Sequence, residues 1–275
     1  METKVWLVTG ISSGLGKELV SELLKNNQKV VGFTRNSELI KKSSDNFLPI
    51  KIDMTDENQL KKAKIDILNK FGTLDVIVNN AAYAIRGSLE ELSNKEVYDN
   101  FNINVFSPLN IIRNFVDILR EKRNGYIINI TSVSGFKASA ISGIYGATKF
   151  AMEGISEALY QELKPFNVHV ISIKPGDMRT KFHSDDSIHI ANKSIEDYNS
   201  LREESLIKLK SKFNKEESDP VKVANRIIEL AQLDNPPLHV FVGKDSHTKA
   251  EIKAKSMLEN IKNSVYISDS VGFDK

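Results

Sequence analysis

The chain contains no cysteine, which excludes disulfides, thiolate metal ligands and a cysteine nucleophile. It has no apolar run approaching the about 18–20 residues needed to span a bilayer. Residues 1–4 run straight into a strand-like segment and lack the pattern of a secretory leader, so a cytoplasmic protein is expected. Neither sign of charge is in excess. Lys and Arg number 38 against 36 Asp and Glu, a formal net charge of +2, so no nucleic-acid partner is expected. Lys61, Lys62 and Lys64, like the basic segment 208–215, read as solvated helix faces. The five histidines (169, 183, 189, 239 and 247) show no zinc-site spacing, so no metal is expected. The middle of the chain holds no Pro/Gly/Ser-rich linker, and there are no internal repeats. At 275 residues, 40% hydrophobic and 27% charged, a single domain over 1–275 is predicted.

Short apolar runs at 5–8, 29–33, 48–52, 74–78, 126–130, 168–173 and 238–242 read as seven strands. Between them lie longer amphipathic stretches at 17–26, 57–71, 94–104, 107–122, 145–164 and 220–233. Such alternation predicts an α/β fold of the Rossmann-like, doubly wound kind, with a parallel sheet and helices on both faces. Residues 181–218 break the pattern. They are polar, charged and irregular, with only weak helical periodicity, and read as an insertion over the carboxyl edge of the sheet, on the substrate side. The extension 249–275 reads as helical to about residue 262.

Four features carry chemistry. Gly10, Gly14 and Gly16 lie between the first strand and the first helix, where glycine lets backbone approach a pyrophosphate and the helix amino end faces it. The spacing is G-x-x-x-G-x-G, and a turn serving only tight packing is the plainer alternative. Tyr145 and Lys149 are four residues apart, one turn along a helix face. A nearby cation favours phenolate, which predicts a lowered Tyr145 pKa suited to acid–base work. Ser132 lies thirteen residues before Tyr145. Thr131 and Ser134 are its rivals for the same role. At the end of the second strand, Thr34 and Arg35 stand where an acid would accept the ribose hydroxyls of NAD. A hydroxyl beside a guanidinium suits a phosphate instead, so NADP(H) is favoured over NAD(H); a solvated strand-end arginine is the alternative.

Together these motifs resemble the short-chain dehydrogenase/reductase family over about residues 4–243. The resemblance covers the turn from Thr9 to Gly16, with Gly10, Ser12, Ser13, Gly14, Leu15 and Gly16 at the cofactor. It also covers Asp53 and Met54, the run Asn79-Asn80-Ala81-Ala82, Asn104, Ser132, Tyr145 with Lys149, and Pro175-Gly176 with Thr180. Ala82 departs from the family, which usually has glycine there. The resemblance implies hydride transfer between a nicotinamide and a carbonyl or secondary alcohol. Tyr145 would be the acid/base and Ser132 would hold the substrate oxygen. Lys149 would bind the nicotinamide ribose, and Asn104 would hold a water linking Lys149 to solvent. Asn102 rivals Asn104, and an interior Asn could simply satisfy backbone groups. Asp53 would accept from the adenine amino group, or cap the helix that follows.

The segments expected around the substrate supply Tyr83, Val133, Phe136, Ile144, Met178 and Phe182. An apolar pocket of this kind predicts a hydrophobic small-molecule carbonyl or alcohol, with Arg86 and Lys137 leaving an anionic one open. Helices 145–164 and 107–119 are apolar over a wider arc than one sheet face requires, which predicts a homodimer or homotetramer; coverage by the insertion or tail is the alternative. The non-catalytic alternative is a cofactor-binding regulatory or scaffold protein.

Overall fold

β1 (Val5–Thr9) is buried along its whole length, and its alternating side chains divide between two cores. Trp6 and Val8 enter one, Val5 and Leu7 the other. A strand apolar on both sides requires a sheet covered on both faces. The computed structural model describes residues 2–179, 188–212 and 218–273. After β1 come α1 (Gly14–Lys25), β2 (Lys29–Thr34), the short α2 (Ser37–Ile40), β3 (Phe47–Lys51), α3 (Glu57–Phe71) and β4 (Val76–Asn79). The middle holds β5 (Ala84–Arg86), α4 (Asn94–Phe101), α5 (Ser107–Lys122), β6 (Gly125–Ile130), α6 (Gly143–Leu163) and β7 (Val168–Pro175). β8 (Ile188–Ile190), α7 (Asn199–Lys212), α8 (Pro220–Leu230), β9 (His239–Val242), α9 (Lys244–Asn263) and α10 (Val265–Ser270) complete the described elements.

Seven strands form one sheet in the order β3-β2-β1-β4-β6-β7-β9, each neighbouring pair parallel. This is the predicted doubly wound fold. On one face, Leu19 and Leu23 of α1 and Ile227 and Ile228 of α8 pack with Trp6 and Val8. On the other, Leu60 and Ile67 of α3 and Ile111 and Phe115 of α5 pack with Leu7 and Phe33. The order runs outward in both directions from the β1–β4 pair, which opens a crevice at the carboxyl ends of those two strands.

Three features depart from the sequence-based expectation. Residues Asn102–Phe106 form a π-helical stretch that joins α4 to α5, where two separate helical stretches were expected. Wide turns of this kind appear in sequence as ordinary helix, because they preserve helical periodicity on either side. A second, two-stranded sheet pairs β5 with β8 in parallel. Finally, the 181–218 segment contains the 14-residue helix α7, where irregular chain with only weak helical periodicity was expected. Among the described residues no helix is long and apolar enough to cross a membrane.

Candidate active site

The crevice is held open by a knot of hydrogen bonds between the ends of β1 and β4. Thr9 Oγ1 accepts from the Asn80 and Ala81 amides, each at 2.9 Å. Asn80 Nδ2 donates to the carbonyls of Thr9 (2.8 Å) and Gly10 (3.3 Å). Gly10 has φ +70°, a conformation that favours glycine. Gly16 lies so close that a Cβ there would sit 2.4 Å from the Gly10 carbonyl oxygen. The glycine spacing is therefore a packing requirement as well as an approach to a ligand. Ser13 caps α1 without a side-chain hydrogen bond, and the first turn carries no acid. Its unpaired N–H groups and positive dipole end face a cavity of about 490 Å³, which Ser13, Gly14 and Leu15 line.

The same cavity is lined by Asn80, Ala81, Ser132, Tyr145, Lys149, Pro175 and Gly176, so most of the residues carried by the resemblance converge on it. Ser12 is exposed beside the turn, and Gly10 and Gly16 support it from behind. Thr180 and Phe182 lie outside the described residues. The Ser132 hydroxyl hydrogen-bonds the Tyr145 phenol and also accepts from the Ser134 amide at 3.0 Å. Thr131 faces inward instead, with Oγ1 on the Ile173 carbonyl at 3.0 Å. Gly135 makes the convergence of Ser132 and Tyr145 feasible. A Cβ there would sit 2.9 Å from the Lys149 backbone, so only glycine lets the turn after β6 press against α6. Its signal in the sequence was one of two glycines, 135 and 143, in the Ser132–Tyr145 interval, which spacing alone cannot distinguish from an ordinary turn.

Electrostatics at the pair differ from the expectation. Burial pushes the Tyr145 phenol up to about 12, partly opposed by the Ser132 hydrogen bond. Burial also brings Lys149 down to about 8, opposed by the Glu153 carboxylate one turn further on. Lys149 Nζ donates to the Ile130 carbonyl at 3.0 Å and lies 5.8 Å from the Tyr145 ring centre. Desolvation of the phenol thus outweighs any lowering by the cation, because both groups are enclosed together.

Asn104 is buried in the π-helical stretch and does not line the cavity. Its amide clamps the Tyr83 backbone, accepting from N at 3.1 Å and donating to O at 3.0 Å, and also donates to Thr148 Oγ1 at 3.1 Å. Those contacts are the backbone-satisfying alternative, and they hold the chain after β4 against α6. Asn102 points elsewhere, lining a second concavity with Arg35, Lys51, Ile52, Asp53 and Thr55. Two cations, Arg35 and Lys51, thus share one rim. Lys51 was not singled out from the sequence, because only the parallel β2–β3 register brings it opposite Thr34. Asp53 Oδ1 accepts from the Thr55 amide (2.9 Å) and hydroxyl (2.7 Å), while Asp56 caps α3. Met54 packs against the core.

The substrate side corrects the apolar picture. Val133 and Met178 line the cavity, whereas Tyr83, Phe136 and Ile144 do not. Tyr83 stacks edge-on against His189, and Phe136 against Phe241. Their places are taken by Arg86, Ser139 and Ser142, and by Leu201, Glu204, Ser205, Lys208 and Leu209 of α7. Those five α7 residues recur at helical spacing and form one face that mixes apolar and charged groups. A face of that kind leaves no apolar stripe to read. Among the described residues no group of three or more acidic or histidine side chains could hold a metal ion.

The family model for short chain dehydrogenases matches residues 4–189. The chain belongs to the short-chain dehydrogenase family. A 3-ketodihydrosphingosine reductase of Bacteroides thetaiotaomicron is 33% identical over 246 residues, covering 88% of this chain and 89% of the relative. A crystal structure of a short-chain dehydrogenase from Streptomyces avermitilis superposes with a TM-score of 0.88 at 28% identity, covering 98% of this chain and all of the other. ElxO with NADP bound superposes at 0.71 with 26% identity, covering 87% and 96%. A Burkholderia phymatum family member in complex with NAD shares the fold at 0.82 with 19% identity, covering 94% and 95%. This short-chain dehydrogenase is accordingly an oxidoreductase, with Ser132, Tyr145 and Lys149 in one cavity.

Proposed function

We propose that the protein is an NADP(H)-dependent oxidoreductase that interconverts a small-molecule carbonyl compound and the corresponding alcohol. The observation that carries this reading is the Ser132–Tyr145 hydrogen bond in a cavity that also contains Lys149 and the uncapped amino end of α1. The fit to a dinucleotide is supported by that uncapped end and by the tight glycine turn behind it. It is also supported by the Arg35/Lys51 rim around the second concavity. When bound, the reduced nicotinamide supplies a hydride.

The chain's own groups then have separate tasks. The first-turn amides of α1 would hold the pyrophosphate. Arg35 and Lys51 would hold the 2′-phosphate of NADP, and Asp53, on the same concavity, would accept from the adenine amino group. Lys149 would hold the nicotinamide ribose hydroxyls, and Pro175 and Gly176 line the same cavity. Ser132 donates to the substrate oxygen and steadies the charge that develops there. Tyr145, with a pKa of about 12, is protonated at neutral pH and so is set to give its proton to the alkoxide oxygen during reduction.

The half-buried apolar residues Val116, Ile118, Ile155 and Leu159, with the exposed Phe106 and Phe150, support assembly as a homodimer or homotetramer through α5 and α6. A panel of aldehydes and ketones, followed by NADPH and NADH absorbance, tests the reading. Oxidation of NADPH by at least one carbonyl compound is expected, and absence of turnover with either cofactor would remove it.

A further inference from the structure

Among the described residues, six charged side chains line the cavity that holds Ser132 and Tyr145: Arg86, Lys149, Asp177, Glu204, Lys208 and Lys249. Glu204 and Lys208 pair with each other at 3.6 Å. Lys249 pairs with Asp177 at 3.7 Å and with Asp245 at 2.8 Å. Lys149 has its place beside Tyr145 and donates to the Ile130 carbonyl. Among these six described residues, Arg86 is left over. Its hydrogen bond is from Nη1 to the Ser205 hydroxyl at 2.6 Å, and its Nε is buried with no hydrogen-bond partner. No ion pair joins it to a carboxylate of the described residues; Asp177 acts on it only through its field.

Arg86 is half-buried, and a guanidinium partly withdrawn from water with no described carboxylate paired to it carries a cost that an anion in the cavity would offset. Ser205 reaches Arg86 from α7, across from β5, so the head group is already held in place and loses little freedom when it meets an anion. One unmatched positive charge calls for one negative charge. A carboxylate supplies that and takes two parallel hydrogen bonds from a guanidinium.

We propose that Arg86 anchors a carboxylate of the substrate, so that the carbonyl compounds this site accepts bear an acid group away from the reacting carbon. This rests on the carbonyl-reducing reading of the same cavity. Two measurements separate the fates of the two ideas. The first is calorimetric binding of benzoate to the protein with NADP present, which requires no turnover. Wild-type protein should bind benzoate about tenfold or more tightly than Arg86→Gln, with Arg86→Lys in between and Tyr145→Phe like wild type. The second is the ratio of kcat/KM for 4-formylbenzoate to that for its methyl ester, two aldehydes that differ in charge. Wild type should favour the acid by about tenfold or more, and Arg86→Gln should collapse that ratio towards one. Benzoate binding through Arg86 with no reduction of either aldehyde would sustain the anchor and remove the reaction. Reduction of the ester as readily as the acid, or benzoate binding indifferent to Arg86→Gln, would remove the anchor and leave the reaction standing. Absence of both binding and turnover overturns the anchor as well.

Discussion

Lys149 Nζ lies 5.8 Å from the centre of the Tyr145 ring and is anchored on the Ile130 carbonyl at 3.0 Å. The pair shares one helix face, yet burial moves the two groups in opposite directions: the phenol rises to about 12 and the ammonium falls to about 8. Each shift keeps its group neutral over a wider range, which is what desolvation does. The phenol is therefore protonated at neutral pH, the state that the proposed reduction requires of a proton donor.

Replacing Tyr145 with Phe removes the proton donor and little else. Turnover should fall by ~10² or more, the scale of lost general acid–base catalysis, while NADPH affinity measured by fluorescence stays within about threefold. Turnover close to wild type would contradict the assigned role.

The pH profile should report Lys149. Its charge is present below about pH 8 and lost above it, so kcat/KM for reduction should be level at lower pH and drop about tenfold per unit beyond the break. Glu153→Gln removes the carboxylate that holds this pKa up, so the break should move to lower pH. An unmoved break would dissociate Glu153 from Lys149. Stability follows from the same shift. Between about pH 8 and 10.5 the unfolded chain keeps a proton that the native state has released, so this group's contribution to stability rises with pH over that window.

Cofactor choice should depend on both cations of the outer rim. Arg35→Ala and Lys51→Ala should each weaken NADPH by about 1.5–3 kcal/mol, the worth of charge-assisted hydrogen bonds, and leave NADH nearly unaffected. Titration of protein fluorescence with each cofactor measures this. Equal weakening of NADPH and NADH would make these residues structural.

Gly16→Ala places a Cβ 2.4 Å from the Gly10 carbonyl oxygen, backbone that cannot step aside without breaking the Asn80 clamp. Overpacking of that kind costs about 1–3 kcal/mol. Thermal melting should show a lower Tm, together with weaker cofactor binding. An unchanged Tm would show that the turn has slack.

Light scattering at micromolar protein should give a mass at twice or four times the 30.9 kDa of one chain. Phe150→Asp, at an exposed apolar position on α6, should lower that mass towards the single chain. A wild-type mass near 30.9 kDa would end the assembly argument.

The seven strands, their parallel pairing and the Tyr145/Lys149 face were determined by sequence alone, because they depend on periodicity and spacing along the chain. Strands such as 5–8 are apolar on both sides and helices such as 57–71 are amphipathic, so local pattern and global fold agree. Asn104 marks where that legibility stops. Its position could be read, but its partners Tyr83 and Thr148 are 21 and 44 residues away, and its role follows from them. Lys51 reached Arg35 only through strand register, and Ser132 reached Tyr145 only because Gly135 permits close packing. The direction of the Tyr145 shift was likewise decided by tertiary structure. Spacing reports which charge is near a group, whereas enclosure determines how much water remains, and at this site enclosure is the larger effect. The substrate wall was decided in the same way. α7 shows no apolar stripe because the face it turns to the cavity mixes Leu201 and Leu209 with Glu204, Ser205 and Lys208, and only the folded chain brings that face opposite Arg86.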